Sequence, residues 1–197
     1  MKTPHYKLRG VTIPPGTYHL GPDDGRLTVW TRRTGAAAKA GHNLVIDVGS
    51  WEATLRVGES PADTQAEITA DGGSLTVREG RGGVQELDTD DKTGIEQTIH
   101  DEILKRTSVT FTSTSAALSS DGTGVTVKGD LTLMGQTRPL EFDAGIAADG
   151  RLTAVAKIVQ SQWGMKPYTT LFGALKVVDE VTVTIGVHLP AGVASGS

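Results

Sequence analysis

Apolar and polar residues alternate along most of the chain. In the clearest case, WEATLRV at 51–57, every second residue is apolar. A strand with one dry and one wet face produces this period of two, which is typical of antiparallel sheet. The same pattern predicts strands at 27–31, 66–70, 75–78, 109–115, 125–133, 140–146, 152–158 and 181–189.

Glycine-rich turns separate these runs. Asp-Gly pairs at 71–72, 121–122 and 149–150, and Gly49-Ser50, stand between alternating segments. Such pairs favour hairpins, because the tight primed turns need positive φ angles. A long antiparallel meander must also hide its edge strands, and closure into a barrel removes them. We therefore predict an extended antiparallel β-barrel.

One segment departs from this rhythm. Ile95, Ile99 and Ile103 recur at a spacing of four, which places them on one stripe of a helix. Asp88 and its neighbours supply helix N-cap candidates just before this stripe. The pattern predicts an amphipathic helix over about 91–105 that caps the barrel.

The chain of 197 residues predicts a single domain over 16–189, with flexible tails at 1–15 and 190–197. No apolar run approaches the roughly 18 residues that a membrane-spanning helix needs. The N-terminal stretch also has no apolar segment of signal-peptide length. We therefore expect a cytoplasmic protein without an integral membrane segment.

Composition narrows the classes of function. The net charge of −4 argues against nucleic acid as a partner, since phosphate binding needs clustered Lys and Arg. There are no cysteines, so disulfides and thiolate metal sites are excluded. Aromatic residues, at 5%, are too few for a base-stacking platform, whereas 25 glycines suit a turn-rich β protein.

The stretch LTLMGQTRPLEFD at 131–143 predicts a hairpin whose register can be tested by parity. A pairing of Leu131 with Leu140 keeps the apolar residues of both strands on one face, and a slip by one residue would turn one face outward. Pro139 lacks an N–H, so it must avoid a hydrogen-bonded pair. We therefore expect a four-residue loop, 134–137.

Few residues suggest catalysis or metal binding. The histidines show no metal-ligand spacing, and no nucleophile elbow or phosphate-binding glycine loop is present. His42, at the entrance to a strand, is the most informative histidine, although a structural role is the simpler explanation. No metal, catalytic residue or cofactor is predicted.

The apolar face itself is then the candidate site. In a closed barrel the dry faces point inward, and a barrel of about eight strands can just hold one small ligand. Composition leaves a hollow and a filled interior equally open. The predicted lining is Val29, Leu55, Phe111, Leu131, Leu133, Phe142, Ile158, Val183 and Ile185.

Several of these strands resemble one known family. VKGDLTLMGQTRPLEF at 127–142 is similar to the G-x-LT-x-x-G-x-T-(K/R)-P-(V/L) signature of the YceI family. VTFTS at 109–113, IVQSQWGM at 158–165 and DEVTV at 179–183 resemble further family segments, and the resemblance extends over about 16–189. The family's usual arginine before the Ser-x-aromatic-Gly-Met run is Gln160 here.

This family comprises lipocalin-like barrels that bind polyisoprenoids and related long apolar molecules. The resemblance implies an elongated lipid, such as a polyisoprenoid or prenyl-quinone, held in the lumen for carriage, storage or sequestration. We expect His42, Trp163 and Met165 to meet its head group. The resemblance is also consistent with a homodimer.

Two alternatives stay open at this point. One is an enzyme that uses the apolar lumen as its active site with His42 as acid or base. The other is a filled barrel with a structural or partner-binding role.

Overall fold

Antiparallel strands make up most of the structure, a computed structural model that describes residues 7–8, 11–120, 122–189 and 194–195. The strands are β1 (Lys7–Leu8), β2 (Val11–Thr12), β3 (Gly16–Leu20), β4 (Gly25–Trp30), β5 (Arg33–Thr34), β6 (Asn43–Val48), β7 (Trp51–Val57), β8 (Gln65–Asp71), β9 (Leu75–Arg81), β10 (Ser108–Leu118), β11 (Val125–Leu133), β12 (Gln136–Ile146), β13 (Arg151–Val159), β14 (Thr169–Thr170), β15 (Leu175–Val177), β16 (Glu180–His188) and β17 (Ala194–Ser195). Helix α1 spans Thr89–Gln97 and continues as a π-helical segment, Thr98–Ile103. Short 3₁₀ turns occur at Ala38–Ala40, Pro61–Asp63, Gln160–Trp163 and Leu171–Gly173.

Eleven strands form one sheet in the order β3-β7-β8-β10-β11-β12-β13-β16-β4-β6-β9. β6 and β7 are two halves of one bent strand, as are β8 and β9. At the bend the Gly49 N–H donates to the Ser74 carbonyl at 2.9 Å and the Asp71 N–H donates to the Ser50 carbonyl at 2.9 Å. Because β6 pairs with β4 while β7 pairs with β8, the sheet curls back on itself. The predicted all-β antiparallel fold is confirmed.

The period of two decides which side chains enter the interior. In β7, Trp51, Ala53 and Val57 are buried, whereas Glu52 and Arg56 are exposed. β11 and β13 bury alternate positions in the same way. The strands therefore present one apolar face inward around the whole sheet, as the alternation predicted.

The predicted helix is present, but it begins earlier, at Thr89 instead of about residue 91. Asp88 and Asp91 form a capping box, with the Asp91 N–H donating to Asp88 Oδ1 at 2.8 Å and the Asp88 N–H donating to Asp91 Oδ2 at 3.3 Å. The helix is fastened to the sheet because the Val77 N–H donates to Glu96 Oε1 at 2.7 Å.

The β11–β12 hairpin corrects the predicted register. Leu131 pairs with Arg138, not with Leu140, and the loop has two residues, Met134 and Gly135, instead of four. Both loop residues have positive φ, 51° and 73°, which is the geometry of a primed turn. The shift is by two residues, so the predicted inward faces are retained.

Pro139 fits this shorter loop as well as the predicted one. It pairs with Asp130, at a position that exchanges no backbone hydrogen bonds in a two-residue hairpin. The proline therefore restricts the register but does not set the loop length. What the sequence argument missed is the left-handed conformation of Met134.

Outside the barrel, β1, β2 and β17 form a second small sheet, and β14, β15 and β5 form a third. Ile13, within the predicted N-terminal tail, is 3% exposed. The remaining predicted tail residues, 1–6, 9–10, 190–193 and 196–197, lie outside the described residues. In the part of the chain that the structure describes, no helix has the length and apolar character needed to cross a bilayer.

The turn geometry yields a stability prediction. Replacement of Gly135 by Ala should lower the free energy of unfolding by about 1 kcal/mol, because an L-residue resists positive φ. The added Cβ would meet nothing within 4 Å, so the cost is one of backbone conformation alone. Urea unfolding measures this difference.

Gly145→Ala is the matched control. Its Cβ would also meet nothing within 4 Å, but Gly145 does not have a positive φ. We expect this variant to be at least as stable as the parent. Equal losses in both variants would contradict the primed-turn explanation.

Candidate functional site

A cavity of about 1090 Å³ occupies the interior of the barrel. Inward-facing side chains of β4, β6, β8, β10, β11, β12, β13 and β16 line it together with α1 and the π-helical segment. Many of these side chains, such as Val29, Leu44 and Val183, are only half-buried although they point inward. Their remaining exposure is to the cavity, so this part of the interior is hollow.

The close packing of the wall requires a glycine at position 129. A Cβ on Gly129 in β11 would lie 2.5 Å from Cζ of Phe111 and 2.4 Å from the Thr112 carbonyl oxygen. The missing side chain makes room for the Phe111 ring, which packs against Phe142 with ring centroids 5.2 Å apart. Both rings line the cavity.

The helix closes part of the lumen with its apolar side. Ile95, Ile99, Ile103 and Leu104 all line the cavity, and Ile99 is 8% exposed. The spacing of four that predicted the helix also predicted this face. The helix therefore acts as a cap on the barrel.

Polar groups gather at one side of the cavity, where the 31–42 and 82–91 segments meet. His42 Nε2 lies 2.8 Å from the carbonyl oxygen of Gln85, so this nitrogen donates and holds the 82–87 segment in place. The Arg33 guanidinium donates to the carbonyl of Gly41, and the Arg33 N–H donates to Asn43 Oδ1 at 2.9 Å. We call this region the mouth of the cavity.

Ten of the twelve predicted site residues line this cavity. They are Val29, His42, Phe111, Leu131, Leu133, Phe142, Ile158, Met165, Val183 and Ile185. Whether they contact a ligand stays a prediction, but the structure does bring them together around one space.

Leu55 and Trp163 do not line the large cavity. Leu55 borders a separate space of about 60 Å³ near the other ends of β10 and β11. Trp163 is 2% exposed, and its Nε1–H donates to the Leu131 carbonyl at 3.1 Å. The indole is packed within the wall and hydrogen-bonded to β11, so it is not placed to meet a head group at the mouth.

Other lining residues were not predicted as site residues. Leu44 and Ile46 belong to β6, whose run of apolar residues gives a weaker alternation than the other strands. Gln160 is a polar residue in the lining, 8% exposed, and its amide donates to the Val178 and Asp179 carbonyls at 3.2 Å. The helical stripe Ile95, Ile99 and Ile103 predicted a cap on the barrel, but these residues were not predicted to contact a ligand.

Ionisable groups with altered pKa values lie away from this lining. Burial raises the pKa of the Tyr18 phenol, and the hydrogen bond from Arg81 lowers the pKa of the exposed Glu79 carboxyl. Among the described residues no cluster of His, Asp and Glu has the arrangement of a metal site. The cavity therefore offers chiefly apolar surface, with polar groups at its mouth.

The comparisons with known proteins agree with this architecture. The model of the YceI-like domain matches residues 18–189, and the chain belongs to this family. The family resemblance inferred from the Gly-x-Thr-Arg-Pro segment is thus confirmed. No curated protein matches the sequence.

Two solved structures share the fold at low sequence identity, and a third is similar at a lower TM-score. BcnA of Burkholderia cenocepacia is 17% identical, with a TM-score of 0.59 over 83% of this chain and 94% of that chain. The YCEI protein of Campylobacter jejuni is 18% identical, with a TM-score of 0.52 over 72% of this chain and 81% of that chain. A polyisoprenoid binding domain from Saccharophagus degradans is 9% identical, covering 90% of this chain and all (100%) of that chain, with a TM-score of 0.49.

The capping box makes the helix testable as a cap. Asp88→Ala should lower the free energy of unfolding by about 1 kcal/mol and raise hydrogen exchange in 89–103, because the first turn loses its acceptor. Asp90→Ala is the control, since Asp90 is also acidic and lies in the same turn but makes no capping bond. Unchanged exchange in the Asp88 variant would contradict a capping role for Asp88.

Proposed function

We propose that this protein binds one elongated apolar molecule in its cavity, a polyisoprenoid, a prenyl-quinone or a similar lipid, for carriage, storage or sequestration. The observation that carries the proposal is the cavity of about 1090 Å³ walled by apolar side chains. This volume is slightly above the roughly 300–1,000 Å³ common for small-molecule sites. Its size suits a long chain.

The energetics favour selection by chain length. Each methylene removed from water contributes about 0.8 kcal/mol, so a five-carbon prenyl unit offers at most ~4 kcal/mol. The cost of ordering a flexible chain is then subtracted from this gain. A mainly apolar wall offers few hydrogen bonds for discrimination, and it therefore distinguishes ligands mainly by how much of their length it covers.

The mouth is the place proposed for a polar head group. His42, Arg33 and Tyr168 border the cavity there, and Met165 also lines the cavity with a flexible apolar side chain. Because His42 Nε2 is engaged by the Gln85 carbonyl, Nδ1 of the neutral ring is the nitrogen that would accept a hydrogen bond. A quinone or hydroxyl head group would meet these side chains while the tail lies within the barrel.

Family membership supports binding over catalysis, since the YceI-like family is known for binding proteins. In this proposal His42 orients a head group and does not transfer a proton. Residence in the cytoplasm and assembly into a homodimer stay predictions. Fractionation of cells and light scattering of the purified protein test them.

Partly filling the cavity should weaken binding. Val183 projects into the lumen from β16, and Val183→Trp adds a bulky ring to that space. We expect the affinity for a prenyl-quinone to fall roughly tenfold or more, since the new side chain displaces several methylenes. Native mass spectrometry of the loaded protein and titration with a fluorescent lipid both measure the loss.

Val155→Trp is the matched control, because it introduces the same substitution on the neighbouring strand β13. Val155 lies on the outer face of the sheet and is 43% exposed. This variant should bind as the parent does. Thermal unfolding of both variants separates loss of binding from loss of fold. Undiminished binding by a folded Val183→Trp protein would contradict a ligand site in the lumen.

A further inference from the structure

An apolar tip projects from the hairpin formed by β14 and β15. Phe172 is 112% exposed and Leu171 is 53% exposed, while Tyr168, just before β14, is 39% exposed. Single exposed apolar residues are common on protein surfaces, but three in one hairpin at the rim of a cavity form a local patch. We call Leu171, Phe172 and Gly173 the hairpin tip.

The backbone holds these side chains outward. Leu171 and Phe172 have φ angles of 51° and 53°, in the left-handed region that non-glycine residues seldom occupy, and Gly173 follows at 86°. The turn is closed by the Ala174 N–H, which donates to the Leu171 carbonyl at 3.0 Å. Strained conformations of this kind persist where the surroundings fix them, and they concentrate at functional segments.

The small sheet below the tip fixes it in place. β15 pairs with β14 on one side and with β5 on the other, with Lys176 opposite both Thr169 and Thr34. The Ala37 N–H also donates to the Ala174 carbonyl at 2.8 Å. The tip is thus a rigid projection, which binds at a smaller entropic cost than a mobile loop.

The hairpin belongs to the rim of the cavity. Tyr168, Thr170, Leu175 and Lys176 all line the large cavity, so the base of the hairpin is part of the mouth. Val84, on the facing 82–87 segment, also lines it and is 84% exposed. Apolar side chains therefore project into water on two sides of the mouth.

Positive charge surrounds the hairpin although the chain as a whole is acidic. Residues 157–178 contain three lysines and no Asp or Glu, and residues 26–46 contain three arginines and one lysine, again without an acid. Of the cations nearest the hairpin, Lys39, Lys166 and Lys176 have no ion-pair partner within the described residues. Glu180, just after β15, is paired with Arg32 and Lys157. Asp88, Asp90 and Asp91 line the cavity from the segment that begins the helix and do not belong to the hairpin.

From this arrangement we propose that the hairpin tip inserts into an anionic lipid surface, with Lys166 and Lys176 facing the headgroups. Apolar side chains flanked by lysines bind such surfaces because burial and electrostatic attraction act together. The mouth then faces the bilayer, so that an apolar chain can pass between membrane and cavity without crossing water. Docking is independent of the proposed function; only the passage of a ligand depends on it.

The first experiment uses the full chain and vesicles of phosphatidylcholine with and without phosphatidylglycerol. We expect sedimentation with the anionic vesicles, weakened by added salt because screening reduces the attraction of the lysines. Leu171→Ser combined with Phe172→Ser should lower the partition coefficient about tenfold, through the loss of two buried apolar side chains. Lys166→Glu combined with Lys176→Glu should lower it for anionic vesicles.

Leu118→Ser is the matched control. Leu118 is 55% exposed, about as much as Leu171. It lies at the C-terminal end of β10 and does not line the cavity, whereas Phe111 of the same strand does. This variant should bind vesicles as the parent does. Circular dichroism and thermal unfolding verify that all variants remain folded.

A second measurement reports the depth of the tip. Phe172→Trp places an indole at the most exposed apolar position, and its emission should shift to the blue on addition of anionic vesicles and be quenched by brominated lipid tails. Trp30, Trp51 and Trp163 are present in every variant and supply the background, which the parent protein measures. An unshifted, unquenched signal from vesicle-bound protein would show that the tip stays in water and would overturn the proposal.

Two further outcomes would overturn it. In the first, the parent protein does not sediment with either kind of vesicle. In the second, the folded double serine variant binds vesicles as well as the parent does. A concentration-dependent dimer abolished by the double serine change, with no vesicle binding, would assign the tip to a second copy instead. Val183→Trp should bind vesicles normally while it loses ligand uptake, so failure of docking and failure of the proposed function are told apart.

Discussion

The continuous backbone pairing through the two bent strands is the constraint on which the rest of the structure depends. At Gly49 and Ser74 the ladder between β6 and β9 passes into the ladder between β7 and β8 without losing its hydrogen bonds. Backbone groups are thereby paired across this bend, and the sheet does not need a filled centre to hold its two parts together. A hollow interior becomes compatible with a stable fold.

The hollow interior lowers the stability of the fold, and the helix reduces this loss. Inward residues such as Val29 and Val183 keep part of their surface in contact with the cavity, and that surface contributes less to stability than a packed core would. The apolar face of 89–103 covers one side of the space, and the bond from the Val77 N–H to Glu96 holds it there. An apolar ligand would remove more of the same surface from water, so binding and stability are linked.

The mouth combines features that the wall lacks. Polar side chains such as Arg33 and His42 border the cavity, and their hydrogen bonds keep two loops together. Next to them the β14–β15 hairpin carries Phe172 into water on a strained but well-paired backbone. The path out of the barrel thus begins in the apolar interior and passes the polar rim. It ends at the hairpin, which is apolar and basic.

The sequence by itself determined the strands, their inward faces, the helical stripe and the family, because side-chain direction has a fixed period in each kind of secondary structure. The alternation of apolar residues predicted the inward faces of β11 and β12 correctly. The predicted length of the loop between them was wrong, because no local sequence signal indicates that Met134 adopts a left-handed conformation. Only the tertiary structure decided that the lumen is hollow and that Leu55 and Trp163 lie away from it. Periodicity gives the direction of a side chain; the distance across the barrel depends on how far the wall curves, which long-range pairing sets.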